Sequence, residues 1–253
     1  MNPHLPPILL TSSAIAMDHS VTLKDPEQRI HYTLESIEKW MKLGADIRLV
    51  VCDGSSYDFS RIVRERFPKR SIECLFFEND KQLVERHGKG YGEGEIIKFA
   101  LLNSAFLKDA DWFAKCTAKL WVDNFLSCVK EWNGSFLCKA YFANVFSFKK
   151  TRFEYIDTRF YLVEKNIYMK YFYETHLKVG GSNGTSIEDN FKEIVLQNRL
   201  TRVFFRSPPI VRGMGGGSGK YYRNNFIRRL KESLRSRIVQ SNPSFRGMFN
   251  RAE

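Results

Sequence analysis

The 253-residue sequence has no run of about 18 apolar residues, the length that a membrane-spanning helix needs. Residues 1–16 also lack the basic segment and the continuous apolar stretch of a secretory signal peptide. Hydrophobic residues still make up 43% of the chain and aromatic residues 14%, which is too much for a disordered polypeptide. The composition predicts one globular domain, with or without a short appendage.

Cysteine is scarce, and its spacing is uninformative. The five cysteines are scattered, and no Cys-x-x-Cys pair occurs. An odd number without metal-ligand spacing argues against a disulfide framework and against a zinc site. Most of them stand beside apolar or aromatic residues, as buried free thiols do. We therefore expect a reducing, cytoplasmic compartment.

Positive charge is concentrated at one end of the chain. The formal net charge is +12, and residues 220–253 hold nine Lys or Arg against two Glu. Such a segment predicts an anionic partner, either lipid headgroups or nucleic acid. The remaining residues offer no recognised nucleic-acid motif and no continuous basic face, so we expect a membrane surface and no nucleic acid.

Alternating strand and helix patterns predict an α/β fold with a largely parallel sheet flanked by helices. The predicted strands are residues 7–11, 47–52, 72–77, 112–116, 136–148, 158–163 and 202–205. The predicted helices are residues 27–43, 59–67, 168–176 and 187–197, and one that follows a glycine loop at 88–94. Residues 213–219 read as a second glycine loop.

Residues 225–240 predict a basic amphipathic helix. Its apolar stripe consists of Ile227, Leu230, Leu234 and Ile238. We expect a catalytic domain over residues 1–219 and a basic helical tail over residues 220–253. The stripe could lie on an anionic bilayer or pack against the domain.

Asp53 directly follows a predicted buried strand. Its carboxylate would lie at the carboxyl end of a parallel strand, where open α/β sheets bind ligands, and could accept hydrogen bonds from a ribose or a base. The structural alternative is an Asx-turn or a helix cap.

The glycine loop at residues 88–94 could bring backbone N–H groups against a phosphate, with Lys89 as the counter-charge. Glu93 and Glu95 could hold ribose hydroxyls, orient Lys89 or stabilise the helix that follows. A flexible loop without a ligand is the alternative.

The strand at 112–116 is preceded by Asp109-Ala110-Asp111, which we interpret as a solvated turn. Its far end carries Thr117-Ala118-Lys119, and Lys119 there could neutralise a diphosphate. Asp123 is either a further ligand contact or a helix cap. Glu188 and Asp189 open a later helix, where they could supply a general base or simply favour the helix dipole.

Together these motifs resemble, over residues 8–218, the GT-A glycosyltransferases that use nucleotide sugars to build bacterial surface polysaccharides such as lipopolysaccharide and capsule. The resemblance implies that Thr11 and Asp53 lie near the nucleoside and that Gly90 opens the helix lining the donor pocket. Ile187-Glu188-Asp189 matches the family's x-E-D motif, which makes Asp189 the catalytic base of an inverting enzyme.

The family's metal-binding D-x-D position reads Thr117-Ala118-Lys119 here and is similar to a metal-independent T-G-R-[YF] variant. The resemblance therefore implies no cofactor and no divalent metal, with Lys119, Lys89 or Arg212 stabilising the leaving group. Asp157 and Arg159 would contact the donor sugar or the acceptor, although Arg159 could equally be a structural ion-pair partner.

The expected function is transfer of a sugar from a nucleotide sugar to a hydroxyl of a glycan or lipid-linked acceptor, at the inner face of the cell membrane. Two alternatives stay open. One is a non-catalytic nucleic-acid-binding protein, and the other is a nucleotidyltransferase, which normally needs paired metal-binding carboxylates.

Overall fold

Two short strands of wholly buried residues, β1 (Ile8–Ser12) and β2 (Leu49–Asp53), lie side by side inside the main sheet. A computed structural model describes residues 5–180, 184–223 and 226–250 of the chain. Continuous apolar runs suit strands that are covered on both faces, as in a parallel sheet. The other strands are β3 (Ile72–Phe76), β4 (Trp112–Thr117), β5 (Leu120–Val122), β6 (Phe136–Ala143), β7 (Arg152–Glu164), β8 (Val211–Gly215) and β9 (Lys220–Tyr222).

The main sheet has six strands in the order β3-β2-β1-β4-β7-β6. Its first four strands are parallel, and β7 and β6 are added antiparallel at one side. A smaller antiparallel sheet has the order β5-β8-β9. The predicted α/β class with a mostly parallel sheet is confirmed, and the carboxyl ends of β1 to β4 meet at one edge.

Helices cover both faces of the main sheet. The helices of the described residues are α1 (Pro26–Met41), α2 (Ser60–Arg66), α3 (Lys81–His87), α4 (Lys89–Asn103), α5 (Ala105–Lys108), α6 (Phe125–Lys130), α7 (Lys165–Ile167), α8 (Ile187–Gln197) and α9 (Phe226–Ser241). Because side chains alternate along a strand, Leu9 joins the core beneath α4 and α8, while Ile8 and Leu10 join the core beneath α1.

The predicted glycine loop at residues 88–94 is helical instead. Gly88, with φ 85°, makes the sharp entry, and α4 begins at the next residue. Glycine is a poor helix former, but α4 approaches its neighbours so closely that side chains would not fit. A Cβ on Gly94 would lie 2.1 Å from Cγ of His176, and one on Gly90 would lie 3.1 Å from Cβ of Ile187. Tertiary packing therefore overrides local propensity here.

Three further predictions are changed in the second half. Residues 202–205 do not form a strand, since Phe204 makes isolated bridges with Cys138 and Phe249. The second glycine loop shrinks to a tight turn, because β8 extends to Gly215 and β9 starts at Lys220. The predicted helix at 168–176 is a π turn followed by a 3-10 turn.

Helix α9 lies in the predicted tail and ends at Ser241, whereas Asn225, the predicted first residue of the tail helix, lies outside the described residues. The predicted boundary between residues 219 and 220 separates β8 from its partner strand β9. Val239 and Phe249 are buried in the main core. The tail is therefore part of the same folding unit as the domain and not an appendage to it.

Candidate functional site

A cavity of about 950 Å³ lies at the carboxyl ends of β1 and β4. Thr11 and Thr117 come from these strand ends, and the other walls are the start of α4, the β8–β9 turn, β7 and the start of α8. This is the position at which open α/β sheets bind ligands.

Glu93 links the strand ends beneath the cavity. Its Oε1 accepts hydrogen bonds from Oγ1 of Thr11 at 2.8 Å and Nζ of Lys115 at 2.6 Å, and lies 3.3 Å from Oγ1 of Thr117. Lys115 is fully buried and needs such a counter-charge. Oε2 of Glu93 has no hydrogen-bond partner among the described residues, which leaves it available to a ligand.

Three basic side chains gather around the turn between β8 and β9. A methyl group on Gly216 would lie 3.6 Å from Cδ of Lys119 and 3.7 Å from Nη1 of Arg29. One on Gly217 would lie 2.5 Å from Nζ of Lys89. The two predicted lysines are thus brought together with an arginine that sequence reasoning missed.

Lys119 is 3% exposed and makes no ion pair or side-chain hydrogen bond with the described residues. Burial, followed by the charge of Arg29, lowers the pKa of Lys119 to about 7. Nearby Asp53 and Glu93 act in the opposite direction without outweighing burial. An anion that entered the cavity would stabilise the protonated lysine.

Arg29 is held by backbone carbonyls. Its Nε donates to the oxygen of Ser13 and its Nη1 to the oxygen of Leu23, both at 2.7 Å. A signal for its burial exists in the sequence, since it shares the helical spacing of buried α1 residues. The buried residues that lie three or four positions apart on this face of α1 are Arg29, Thr33, Ser36 and Trp40.

Asp157 and Arg159, both predicted, form a bidentate ion pair in the cavity wall. Nε of Arg159 donates to Oδ1 of Asp157 at 2.7 Å, and Nη2 donates to Oδ2 at 2.5 Å and to the hydroxyl of Tyr141 at 3.0 Å. Burial alone would raise the pKa of Asp157, but the charge and hydrogen bonds of Arg159, together with the charge of Lys139, outweigh burial and lower it. The pair is therefore a rigid, ionised part of the wall.

The two adjacent carboxylates at the start of α8 have different surroundings. Asp189 accepts hydrogen bonds from Oγ of Ser186 at 2.6 Å and from its backbone N–H at 3.2 Å, completing a capping box. Glu188 lines the cavity, with Oε1 3.3 Å from the hydroxyl of Thr158. The geometry thus places Glu188, and not the predicted base Asp189, where it can reach a substrate.

Asp53 does not line the cavity, contrary to the predicted nucleoside contact. It is fully buried, and both of its oxygens are engaged. Oδ2 accepts from the N–H of Ala14 at 2.8 Å, and Oδ1 accepts from the N–H of Ser55 at 2.8 Å and its hydroxyl at 2.6 Å. The Asx-turn alternative is correct, because Asp53 fixes the loops after β1 and β2.

Asp123 and Arg212 are also removed from the donor site. They form an ion pair with each other, and Asp123 accepts a further hydrogen bond from Nε1 of Trp121 at 2.9 Å. Neither lines the cavity. The pair instead joins the end of β5 to β8.

The start of α4 lines the cavity, but not as the predicted phosphate cradle. The backbone N–H of Lys89 donates a hydrogen bond to Oδ2 of Asp18 at 2.9 Å. This N–H group, which was expected to face a phosphate, is therefore already paired. Gly90 and Gly92 are buried against Ile187 and Val84. What remains of the prediction at this position is the ammonium group of Lys89 at the cavity.

Within the described residues, no group of three or more His, Cys, Asp or Glu side chains is placed to hold a metal ion. The D-x-D position offers Thr117, whose hydroxyl faces Glu93, and Lys119, an amine that is positively charged when protonated. These donors do not suit a divalent cation. Asp109 and Asp111 lie in a turn at the amino end of β4, away from the cavity, as predicted.

A scan of protein-family models and a search of curated proteins returned no match. Among solved structures, the inositol-1-phosphate CTP transferase from T. maritima is similar at 14% identity and a TM-score of 0.49, covering 92% of this chain and 98% of that one. The glycosyltransferase GlyE of Streptococcus pneumoniae TIGR4 is similar at 6% identity and a TM-score of 0.48, covering 76% of this chain.

The chain spans 43% of the length of GlyE. A glycosyltransferase involved in glycosylation of the PBCV-1 major capsid is similar at 11% identity and a TM-score of 0.44, covering 79% of this chain and 80% of that one. Similarities at this level do not identify an activity. The structural neighbours are thus glycosyltransferases together with a CTP transferase.

Proposed function

We propose that the protein is a glycosyltransferase that binds a nucleotide sugar in the large cavity and transfers the sugar, with inversion, to a hydroxyl of a glycan or lipid-linked acceptor. One observation carries the proposal. The cavity combines a cluster of basic side chains at the β8–β9 turn with a carboxylate, Glu188, on the wall formed by β7 and α8.

The basic cluster suits a departing nucleoside diphosphate. Lys119, Lys89 and Arg29 would stabilise the negative charge that develops on the leaving group. Lys119 is buried with no ion-pair or hydrogen-bond partner for its ammonium group among the residues that the structure describes, an arrangement that costs free energy unless an anion compensates it. A diphosphate is such an anion.

Glu188 is the proposed general base. It would remove the proton of the acceptor hydroxyl as that oxygen attacks the anomeric carbon and the bond to the diphosphate breaks. Asp189 would act indirectly, because its capping box fixes the start of the helix that carries Glu188. In this proposal the general base of the x-E-D motif is therefore Glu188 and not the adjacent Asp189.

The remaining polar groups fit the rest of the donor. The available oxygen of Glu93 would accept a hydrogen bond from a ribose hydroxyl, next to Thr11. The rigid pair of Asp157 and Arg159 would contact the transferred sugar or the acceptor. Each assignment uses groups that line the same cavity.

A divalent metal is not part of the proposal. Lysine in place of carboxylates at the D-x-D position supplies positive charge directly, so turnover should persist in excess chelator. Activity should be measured in EDTA with and without added manganese or magnesium. Loss of activity that either metal restores would contradict this expectation.

We further propose that α9 rests on an anionic membrane surface at the cytoplasmic face. Its apolar stripe is largely exposed, since Ile227, Leu230, Leu234 and Ile238 are 64%, 60%, 51% and 38% exposed. Basic side chains on the same helix could contact anionic headgroups. No helix among the described residues is long and apolar enough to cross a membrane.

A panel of nucleotide sugars, nucleoside triphosphates with sugar phosphates, and nucleic acids tests the function. A nucleotide sugar should raise the melting temperature and, with a suitable hydroxyl acceptor, release a nucleoside diphosphate. Lys119→Met should lose the stabilisation, whereas Lys130→Met, an exposed lysine outside the cavity, should retain it. Pyrophosphate release from a triphosphate and a sugar phosphate would favour a nucleotidyltransferase, and stabilisation by nucleic acid alone would favour a binding protein.

A further inference from the structure

A second cavity of about 670 Å³ lies between α9, the sheet strands β6 and β7, and residues 206–211. Three of its lining residues, Tyr141, Arg159 and Tyr222, also line the first cavity. The guanidinium carbon of Arg159 lies 4.8 Å from the centre of the Tyr222 ring. The two cavities are therefore neighbours that share one wall.

The second cavity has more positive charge than its own carboxylates balance. Nζ of Lys139 pairs with Glu232 at 2.6 Å, and Glu131 accepts hydrogen bonds from backbone N–H groups of the loop beside it. Three further side chains line the cavity and form no ion pair with the described residues. They are Arg206, Arg229 and Arg237.

Unpaired arginines in a concave site favour a phosphate group. The planar guanidinium presents its N–H donors in a fork that matches phosphate oxygens, and it keeps its charge at any physiological pH. Exposed arginines on a convex surface would usually be solvated, but here three from two separate segments line one cavity.

The same helix relates this cavity to a membrane. One side of α9 lines the cavity with Arg229, Ser233 and Arg237, and another side carries the exposed apolar stripe. Nε2 of Gln240 donates to the carbonyl of Arg206 at 2.9 Å, which holds the helix against the cavity's other wall. With the stripe in a bilayer, the cavity would lie at the level of the lipid headgroups.

We propose that the second cavity binds the phosphate group of the acceptor, and that this acceptor is a phosphate ester of a membrane lipid. The inference rests on the proposed glycosyltransferase function. The phosphate would be held by Arg206, Arg229 and Arg237, and the acceptor's hydroxyl-bearing part would pass Tyr141 and Arg159 to reach Glu188 in the first cavity.

Binding of geranyl phosphate to the full chain, measured by calorimetry, tests this directly. The Arg229→Gln/Arg237→Gln variant should bind it about tenfold or more weakly, because two charge-assisted contacts are lost. The matched control Lys231→Gln/Arg246→Gln removes the same charge from exposed positions outside the cavity and should keep the wild-type affinity. Geraniol, which lacks the phosphate, should bind much more weakly to every form.

Equal loss in both double variants would overturn the proposal, because it would show a general charge effect. If Lys119→Met, and not the double arginine variant, lost affinity for geranyl phosphate, the phosphate would bind in the first cavity. That result would also overturn the proposal. Glucose 1-phosphate binding as tightly as geranyl phosphate would uphold the phosphate site and overturn the lipid source. Since none of these readouts needs turnover, failure of sugar transfer in the donor panel would be a separate result.

Discussion

At the scale of single residues, Lys115 and Lys119 are lysines only four positions apart that have different roles. Both are buried. Nζ of Lys115 is paired with Glu93 at 2.6 Å and with the carbonyl of Thr158 at 2.8 Å, so its charge is satisfied within the fold. Lys119 has no such partner among the described residues. Its charge is left for a ligand.

Lys119→Met should therefore stabilise the free protein, and the gain should depend on pH. Burial lowers the pKa of Lys119 to about 7 in the folded state, while the unfolded lysine keeps an ordinary, higher value. Between these values the unfolded state binds more protons, so wild-type stability rises with pH from about 7 towards 10. The stabilisation by Lys119→Met, measured by urea unfolding, should be largest below pH 7 and fade towards pH 10. A gain that is the same at pH 6 and pH 9 would contradict the buried, unpaired lysine.

The adjacent carboxylates of α8 offer a matched pair of substitutions. Glu188→Gln should lower turnover by about 10²–10⁴-fold, the usual contribution of a general base, without weakening donor binding. Asp189→Asn keeps an acceptor oxygen for the capping box and should change turnover far less. Steady-state kinetics and a donor-binding measurement on each variant show whether Glu188 or Asp189 is the general base. The reverse order of effects would restore Asp189 as the base.

At the scale of elements, α4 shows why glycine can belong in a helix. The helix passes so close to α3, α8 and the 3-10 turn at Thr175–Lys178 that side chains on its glycines would crowd or collide with them. The buried faces of Gly90, Gly92 and Gly94 allow this approach. In exchange, the first turns of α4 bring Lys89 and Glu93 to the cavity.

Gly94→Ala tests this packing. The new Cβ would lie 2.1 Å from Cγ of His176, which is pinned by a 2.5 Å contact with Glu95, so we expect a loss of about 1–3 kcal/mol in the free energy of unfolding. Gly247→Ala is the control, since its Cβ would meet no atom within 4 Å among the described residues. Urea unfolding of both variants measures the difference. Equal midpoints for Gly94→Ala and the wild type would show that the helix can shift to make room.

The elements that sequence could predict are those with a strong local pattern. The sequence predicts β1 to β4 to within about two residues, because each is a short run of mainly apolar residues. The signal is clearest for β1 and β2, which are buried along their whole length. The glycine-rich segments were misjudged, since α4 and the β8–β9 hairpin depend on close contacts with distant residues. Local propensity carries no information about such contacts.

The site was predictable in part for the same reason. Thr11, Lys119 and Glu188 line one cavity because they lie at or next to the ends of elements that meet at one edge of the sheet, and such placement is visible in sequence. Whether Asp53 can bind a ligand depends on whether nearby N–H groups already donate hydrogen bonds to its carboxylate. Sequence spacing does not show which of these hydrogen bonds form. Arg29 was overlooked because it lies in a helix far from the glycine turn in sequence.

At the scale of the whole molecule, the basic segment is built into the fold. Removing residues 220–253 would delete β9 and two core side chains, Val239 and Phe249. A truncation would therefore confuse membrane binding with stability. Substitution of exposed side chains on α9 separates the two, because those positions contribute little to the core.

Leu230→Gln/Leu234→Gln should weaken binding to anionic vesicles by about tenfold or more, since burying each leucine in the interface contributes roughly 1.5–3 kcal/mol. Both leucines are more than half exposed, at 60% and 51%, so the fold should be unaffected. Leu177→Gln/Leu196→Gln is the matched control, because these leucines are 50% and 49% exposed on other elements. Co-sedimentation with vesicles of phosphatidylcholine and phosphatidylglycerol measures the effect, and raising the salt concentration should weaken it through the arginines. Two results would contradict the membrane contact: no binding of the wild type to these vesicles at low salt, or an equal loss of binding in both double variants. The apolar stripe of α9 would then be a contact surface for something other than a membrane.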